Sequence, residues 1–354
     1  MFSDITVEEM LEKFRAKELT IIDVRSPREF ANATIPGSLN IPLFDDAERA
    51  EVGTLYAQIS PDAAKARGLE IVSAKLPRFI QQFAEIPGPK AVFCWRGGMR
   101  SKTAATLLDL MGMPVRRLSG GYRAYRKWVL QTLDNYRLTQ TCIVINGYTG
   151  TGKTWLLRQL AAKGYPVVDL EAMAGHRGSI FGGIGLKPAN QKTLDSLLLH
   201  RLEELKGSPY FLMEAESARI GNCVAPQFLM DAKENGIHVF IEVPEAERIK
   251  QILHDYDPHQ FADACADAFA RIKERIHTPI AAQIAADLRE KRFARVVANL
   301  LRYYYDPRYE YAIEHHRPDS LHLRGETCEE VLAKLENWLE KFSAMSVTDE
   351  PSRL

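Results

Sequence analysis

Cys142-Ile143-Val144-Ile145-Asn146-Gly147-Tyr148-Thr149-Gly150-Thr151-Gly152-Lys153-Thr154 runs from an apolar, β-branched stretch into a glycine-rich loop, and Thr154 to Lys163 then carries a helical pattern. A short apolar run bounded by glycine reads as a buried strand. Gly147, Gly152, Lys153 and Thr154 have the Gly-x4-Gly-Lys-Thr spacing of a phosphate-binding loop, here in the strand-to-helix setting that the chemistry needs. The backbone amides of Gly147, Tyr148, Thr149, Gly150, Thr151 and Gly152 can surround phosphate oxygens at the positive end of the helix. Lys153 then reaches the terminal phosphates, and Thr154 can ligate Mg²⁺. Any diphosphate fits such a cradle, so the loop itself leaves ATP, GTP or another diphosphate open.

Downstream, Tyr165–Asp169, Tyr210–Glu214 and Ile237–Glu242 read as further strands with helical stretches between them. Strands alternating with helices imply a parallel α/β sheet. Asp169 and Glu171 follow one of these strands, and Glu214 and Glu216 follow another, which makes them candidate Mg²⁺ or substrate ligands. His176, Arg177, Gly178 and Ser179 form a candidate second anion loop. Arg271 and Arg275 are expected on one helix face, which reads more simply as solvated surface. Glu245 to Tyr305 looks almost wholly helical, with Asp306-Pro307 as its stop. A last strand, Leu321–Arg324, and a helix, Cys328–Phe342, are expected before a disordered tail, 346–354. The second domain therefore spans 139–345, with a helical C-terminal part.

Upstream, a first α/β domain spans 1–133. Thr6-Val7-Glu8-Glu9 resembles a capping box that opens a helix from Glu8 to Phe14. Leu19–Val24, Ala91–Cys94 and Val115–Leu118 read as strands, and Ser101–Met111 and Ala124–Leu133 as helices. Between the strand ending at Cys94 and the helix from Ser101 lies Cys94-Trp95-Arg96-Gly97-Gly98-Met99-Arg100. Amides curling around an anion at a helix N-terminus also favour a thiolate, and Arg96 and Arg100 add positive charge. Cys94 is thus a candidate reactive thiol, Arg100 a candidate catalytic partner, and Trp95, Arg96, Gly97, Gly98 and Met99 the anion loop.

In the 354 residues, 46 basic side chains balance 46 acidic ones. That excludes a uniformly basic surface but not a local basic face. Arg116, Arg117, Arg123 and Arg126 form one basic group, and Arg292 and Arg295 belong to a second, followed by Tyr303-Tyr304-Tyr305. Both are candidate contacts to a folded RNA. Five scattered cysteines without a Cys-x-x-Cys pair give neither a disulfide framework nor a zinc site, and no firm metal ligand set emerges. No apolar run is long enough for a membrane span, and the first residues lack signal-peptide character. A cytoplasmic protein that does not engage the membrane is expected.

Ile22-Asp23-Val24-Arg25-Ser26-Pro27-Arg28-Glu29-Phe30, then Ile35-Pro36-Gly37 and Leu118-Ser119-Gly120-Gly121-Tyr122-Arg123, resemble a rhodanese domain. Here Ala33-Thr34 stands where Gly-His is common. Five residues separate Cys94 from Arg100 where many rhodaneses have four, a spacing that also resembles phosphatases of the same fold. The order of a rhodanese-like α/β domain followed by a P-loop NTPase-like α/β domain resembles the tRNA 2-selenouridine synthase family over nearly the whole chain. The matches include Phe93–Ser101, Asn146–Thr154, Asp169-Leu170-Glu171, His176-Arg177-Gly178-Ser179, Glu214, Glu216-Ser217, Arg219-Ile220-Gly221, and Tyr304-Tyr305-Asp306-Pro307 with Tyr309.

The resemblance implies a transferase that converts wobble 2-thiouridine of tRNA to 2-selenouridine. It implies selenophosphate and geranyl diphosphate as co-substrates, with S-geranyl-2-thiouridine as the intermediate. A selenophosphate-supplying enzyme would be a partner. The competing expectation is a sulfurtransferase or phosphatase module fused to an ATP-dependent P-loop kinase.

Overall fold

The computed structural model describes residues 2–308 and 320–348. They form two compact units, Met1–Asn135 with Asp195–His200, and Tyr136–Leu194 with Arg201–Leu354.

In the first unit the chain runs β1 (Ser3–Ile5), α1 (Val7–Arg15), β2 (Thr20–Asp23), α2 (Pro27–Asn32), β3 (Leu39–Asn40), α3 (Asp46–Gln58), α4 (Pro61–Ala84), β4 (Lys90–Phe93), α5 (Met99–Leu110), β5 (Val115–Leu118) and α6 (Gly121–Asp134). The sheet order is β1-β5-β4-β2-β3, and every pairing is parallel. All four residues of β4 are buried, as expected of a strand covered on both faces. Cys94 therefore leaves the sheet at its carboxyl edge, where open parallel sheets place ligands. Thr6 caps α1 through its hydroxyl, which accepts the Glu9 N–H at 3.2 Å.

The helical pair α3 and α4 is new to the structure. Helix α3 buries no residue, so it carries no apolar stripe. Its start is fixed instead by a reciprocal capping box between Asp45 and Glu48. Ser60 caps α4, with Pro61 in its first turn.

The second unit continues with β6 (Thr141–Asn146), α7 (Lys153–Ala162), α8 (Leu170–Ala174), α9 (Gln191–Glu204), β7 (Tyr210–Glu214), β8 (Arg219–Ile220), β9 (Cys223–Val224), α10 (Gln227–Glu234), β10 (Ile237–Glu242), α11 (Glu245–Tyr256), α12 (Ala262–Ala270), α13 (Thr278–Arg289), α14 (Phe293–Leu300), β11 (Leu321–Arg324) and α15 (Cys328–Thr348). Its sheet is β11-β10-β6-β7, again parallel. The core is Ile143 and Ile145 of β6, Leu156, Leu157 and Leu160 of α7, and Val331, Leu335 and Leu339 of α15.

Five expectations change. Tyr165–Asp169 is not a strand and meets β7 only through the bridge Val167–Leu212. Pro166 has no N–H to donate to a ladder, and Asp169 turns to cap α8. The helical run after Glu245 is broken, first at Asp257, whose φ is 37°, then by a 3-10 turn at Lys273–Arg275. Arg271 follows α12 and Arg275 lies in that turn, so the two share no helix face. A π-helical turn, Leu301–Tyr305, follows α14, and helical geometry passes through Asp306-Pro307 to residue 308. Finally, α15 continues beyond Phe342 to Thr348, while Tyr309 and 349–354 lie outside the described residues.

Arg25 anchors the first unit. Its side chain is 2% exposed and pairs with the fully buried Asp23, Nη2 to Oδ2 at 2.6 Å, while Nη2 also donates to the Ala33 carbonyl. The guanidinium lies 4.4 Å from the Tyr122 ring centroid. Removing one partner of such a pair leaves an uncompensated buried charge. Asp23→Ala should therefore destabilise the full chain by about 3–5 kcal/mol in denaturant titration. A loss under about 1 kcal/mol would show that the pair is solvated and does not hold the sheet edge.

Candidate functional site

In the first unit the cysteine loop is wound around a short backbone path. The Tyr122 N–H donates to the Cys94 carbonyl at 2.8 Å, and the Arg123 N–H to that of Trp95 at 3.0 Å. These bonds tie the loop to the start of α6. Gly121 has φ 60°, and a Cβ there would sit 2.2 Å from the Cys94 carbonyl oxygen, so only glycine permits this contact. Cys94 is buried, with Sγ 3.2 Å from the Ser101 hydroxyl. Gly98 precedes α5 with no side-chain cap, which leaves the first amides of that helix for a ligand. Trp95 and Met99 are exposed around the loop.

The arginines divide. Arg96 is exposed. Arg100 makes a two-pronged ion pair with Glu29, Nη2 to Oε1 at 3.1 Å, and that arginine helps hold the Glu29 carboxyl below the usual carboxylate range against the opposing effect of burial. Arg117 contacts the loop directly, its Nη1 donating to the Gly97 carbonyl at 3.2 Å. Ser101 and Glu29, which the sequence reading gave no role, thus stand beside Cys94 and Arg100.

In the second unit the phosphate loop lies between β6 and α7. A Cβ on Gly150 (φ 83°) would meet Ile252 at 2.7 Å and the Arg248 carbonyl at 2.9 Å, so α11 presses directly against the loop. Lys153 Nζ donates to the carbonyls of Gly147 and Tyr148 at 3.0 and 3.1 Å. Arg248 braces the loop from behind. Nε donates to the Thr149 carbonyl at 2.8 Å, and its two terminal nitrogens hold Asp306 at 3.0 and 2.6 Å. No local pattern in the sequence marks Arg248, although Asp306 lies in the Tyr304-Tyr305-Asp306-Pro307 stretch.

Carboxylates gather opposite the loop. One oxygen from each of Glu171, Glu214 and Glu216 lies within 4.8 Å of the others. The Thr154 hydroxyl donates to Glu171 at 3.1 Å. Burial pushes the Glu171 carboxyl up to about 9, with repulsion from Glu214 and Glu216 adding to it, and burial pushes Glu214 and Glu216 up as well. Glu214 Oε1 is buried with no hydrogen-bond partner among the described residues. An orphaned carboxylate oxygen beside two more and a phosphate-loop threonine is a donor set that fits Mg²⁺. Asp169 stands outside this cluster as the cap of α8.

The loop at 176–179 serves structure as well as the pocket. Arg177 and Ser179 line the phosphate pocket with Tyr256. Arg177 donates to the Ile184 and Asp255 carbonyls, and the Ser179 hydroxyl lies 3.3 Å from that of Tyr256. His176 packs among Gly182, Gly183 and Gly221, and burial lowers its pKa, favouring the neutral ring.

Most of the RNA candidates carry carboxylate partners. Arg116 pairs with Glu9, Arg117 with Asp4, Arg126 with Asp195, and Arg292 and Arg295 with Asp287. Arg123 is exposed and makes no ion pair among the described residues. The pairs to Glu9 and Asp4 involve exposed carboxylates and are weak, so phosphates can displace them, whereas the carboxylates of Asp195 and Asp287 are buried and hold Arg126, Arg292 and Arg295 more firmly.

A family model described as the tRNA 2-selenouridine synthase AAA domain matches residues 140–342, and a rhodanese-like domain model matches residues 6–127. The chain belongs to the tRNA 2-selenouridine synthase family. A tRNA 2-selenouridine synthase of Bordetella petrii is 35% identical over 83% of this chain and 87% of its own length. That of Aeromonas salmonicida is 32% identical over 92% and 95%. The N-terminal domain of a putative ATP/GTP binding protein from Clostridium difficile 630 is 36% identical over 36% of this chain and 99% of its own, with a TM-score of 0.34. The two-module order seen in this synthase family is thus the one read from the sequence, and no helix among the described residues is long and apolar enough to cross a membrane.

The carboxylate cluster sets a pH dependence. A carboxyl whose pKa is higher in the folded chain than in the unfolded one holds its proton preferentially when folded. Stability then falls as pH rises from the ordinary carboxyl range towards the raised value. Without divalent cations, the melting temperature should drop between pH 5 and about 9, and Mg²⁺ should restore it most at the alkaline end. Glu214→Gln should flatten both trends. A pH profile that Mg²⁺ and Glu214→Gln leave unchanged would remove the cluster as a cation site.

Proposed function

We propose that this chain converts 2-thiouridine at the tRNA wobble position to 2-selenouridine in two half-reactions, each served by one anion cradle. Members of the family are named for making 2-selenouridine in tRNA. The observation that carries the reading is the pairing, in one such chain, of a thiol-bearing anion loop at Cys94 with a lysine-bearing phosphate loop at Lys153.

In the first half-reaction the phosphate loop binds geranyl diphosphate. The thiocarbonyl sulfur of the uridine attacks the allylic C1, the C1–O bond breaks, and diphosphate leaves with the electron pair. The uridine loses its N3 proton, which gives neutral S-geranyl-2-thiouridine. Lys153 leaves its resting carbonyl partners for the diphosphate, and the loop amides stabilise the developing charge. Mg²⁺ held by Glu171, Glu214 and Glu216 would supply further charge neutralisation when bound.

In the second half-reaction the cysteine loop holds selenophosphate by its phosphate end. Selenium attacks C2, geranyl thiolate leaves and takes up a proton, and water cleaves the Se–P bond to release phosphate. Alkylation is what makes this possible, because it converts a poor leaving sulfur into a thiolate. Cys94 serves this second step, its thiol giving the proton that the departing geranyl thiolate takes up, and is not needed for the first. A selenophosphate-supplying enzyme is the partner, and Arg123 is an RNA contact.

Cys94→Ser should therefore still make S-geranyl-2-thiouridine but not convert it, so the geranylated nucleoside accumulates. Nucleoside mass spectrometry of the tRNA reads the ratio directly. Normal 2-selenouridine in the variant would confine Cys94 to a structural role. Loss of both nucleosides with an unchanged melting temperature would show that the half-reactions do not separate.

A further inference from the structure

The first unit carries a groove that the chemistry above does not use. Residues of α3 and α4 line it, and so do Met99 and Arg100 at the end of the cysteine loop, so the groove opens beside that loop. Its volume is about 470 Å³, within the roughly 300–1,000 Å³ of small-molecule sites. Most of the lining is hydrocarbon or aromatic, from residues such as Phe44, Val52, Tyr56, Leu69 and Val72. The charged side chains in it are Arg49, Lys65 and Arg100, and Glu29 pairs with both arginines.

Much of this apolar lining faces solvent. Tyr56, Leu69 and Met99 are 65%, 71% and 62% exposed. Val52 and Tyr56 lie one turn apart on α3, a helix that buries no residue. Each helix also brings a glycine to the groove, Gly53 in α3 and Gly68 in α4. Glycine inside a helix is destabilising relative to alanine. Neither of these two has the positive φ that would call for it. A Cβ on Gly53 would meet only the end of the Arg49 side chain, and one on Gly68 only the Phe44 ring, at 3.3 Å. Both positions thus leave open the space that a side chain would fill.

We propose that this groove holds the ten-carbon chain of S-geranyl-2-thiouridine while selenium displaces geranyl thiolate at the cysteine loop. The inference rests on the two-step reading above and adds the place of the leaving group. The geranylated nucleoside is what demands such a site. Its alkyl chain hangs on the sulfur that departs, so a loop that presents C2 to selenophosphate needs apolar surface within a few atoms of it. Selenophosphate and an unalkylated uridine have no use for that surface. A geranyl chain in the groove removes Tyr56, Leu69 and Met99 from water, which favours the alkylated tRNA over the thiolated one. The groove thereby sorts the substrate of the second step from that of the first.

The test is steady-state conversion by the full chain, with selenophosphate, of two anticodon stem-loop RNAs. One carries S-geranyl-2-thiouridine at the wobble position and the other S-methyl-2-thiouridine. Both alkyl groups leave as thiolates, so the two RNAs differ chiefly in apolar length. In the parent chain KM should be at least about tenfold lower for the geranylated RNA, since each buried CH₂ contributes. Gly53→Leu, which fills the groove, and Leu69→Lys, which puts a charge on its exposed side, should each erase that difference. KM for the methylated RNA, the melting temperature and geranylation of 2-thiouridine RNA should stay as in the parent. Leu69→Met should keep the preference. Equal KM for the two RNAs in the parent, or a preference that Gly53→Leu and Leu69→Lys both keep, would overturn the groove and leave the two-step reading intact. A rise in KM for both RNAs alike would also overturn it, by giving the groove a role that ignores the chain. Conversion of neither RNA by the parent would overturn the two-step reading itself.

Discussion

Arg248 is the constraint on which the second unit turns. Its guanidinium is buried and held by the Thr149 carbonyl and both oxygens of Asp306, 5.3 Å from the Tyr148 ring centroid. One side chain on α11 thereby fixes the phosphate loop on one side and the end of the π-helical turn on the other. A buried arginine with all its partners is rigid, because releasing any one of them strands a charge in a low-dielectric interior. Arg248 thereby holds the Thr149 turn of the phosphate loop against Asp306.

The first unit solves the same problem with different chemistry. Backbone amides again form the anion cradle at a strand-to-helix junction, and a buried arginine, Arg25, again stiffens the surroundings through a carboxylate and an aromatic face. The difference lies in the reactive group. The phosphate loop offers a lysine and a carboxylate cluster, which suit a departing diphosphate. The cysteine loop offers a thiol beside a serine hydroxyl, and Arg100 is already neutralised by Glu29. The two cradles are therefore not interchangeable, which accords with a division of the chemistry into two steps.

The parts of this arrangement legible in the sequence are those fixed by local pattern. The phosphate loop and the cysteine loop each need glycines, a strand before and a helix after, and both stood where expected. Short edge strands such as Ser3–Ile5 gave no pattern of their own, and α3 has no apolar stripe to find. Tyr165–Asp169 has strand composition, but Pro166 and the capping role of Asp169 override it. Among candidate ligands, Glu171, Glu214 and Glu216 converge while Asp169 does not, a distinction set by the tertiary course of the chain. Arg248 lies 99 residues from its partner Thr149 and 58 from Asp306, so no local signal marks it.

The central claim is that alkylation by an allylic diphosphate precedes selenium transfer. It is tested most directly by a time course of nucleosides from 2-thiouridine-containing tRNA, incubated with the unaltered chain and supplied with geranyl diphosphate, selenophosphate, or both. S-geranyl-2-thiouridine should form with the first and no product with the second. With both, the geranylated nucleoside should rise and then decay into 2-selenouridine. Formation of 2-selenouridine from selenophosphate alone, at the rate seen with both, would contradict it.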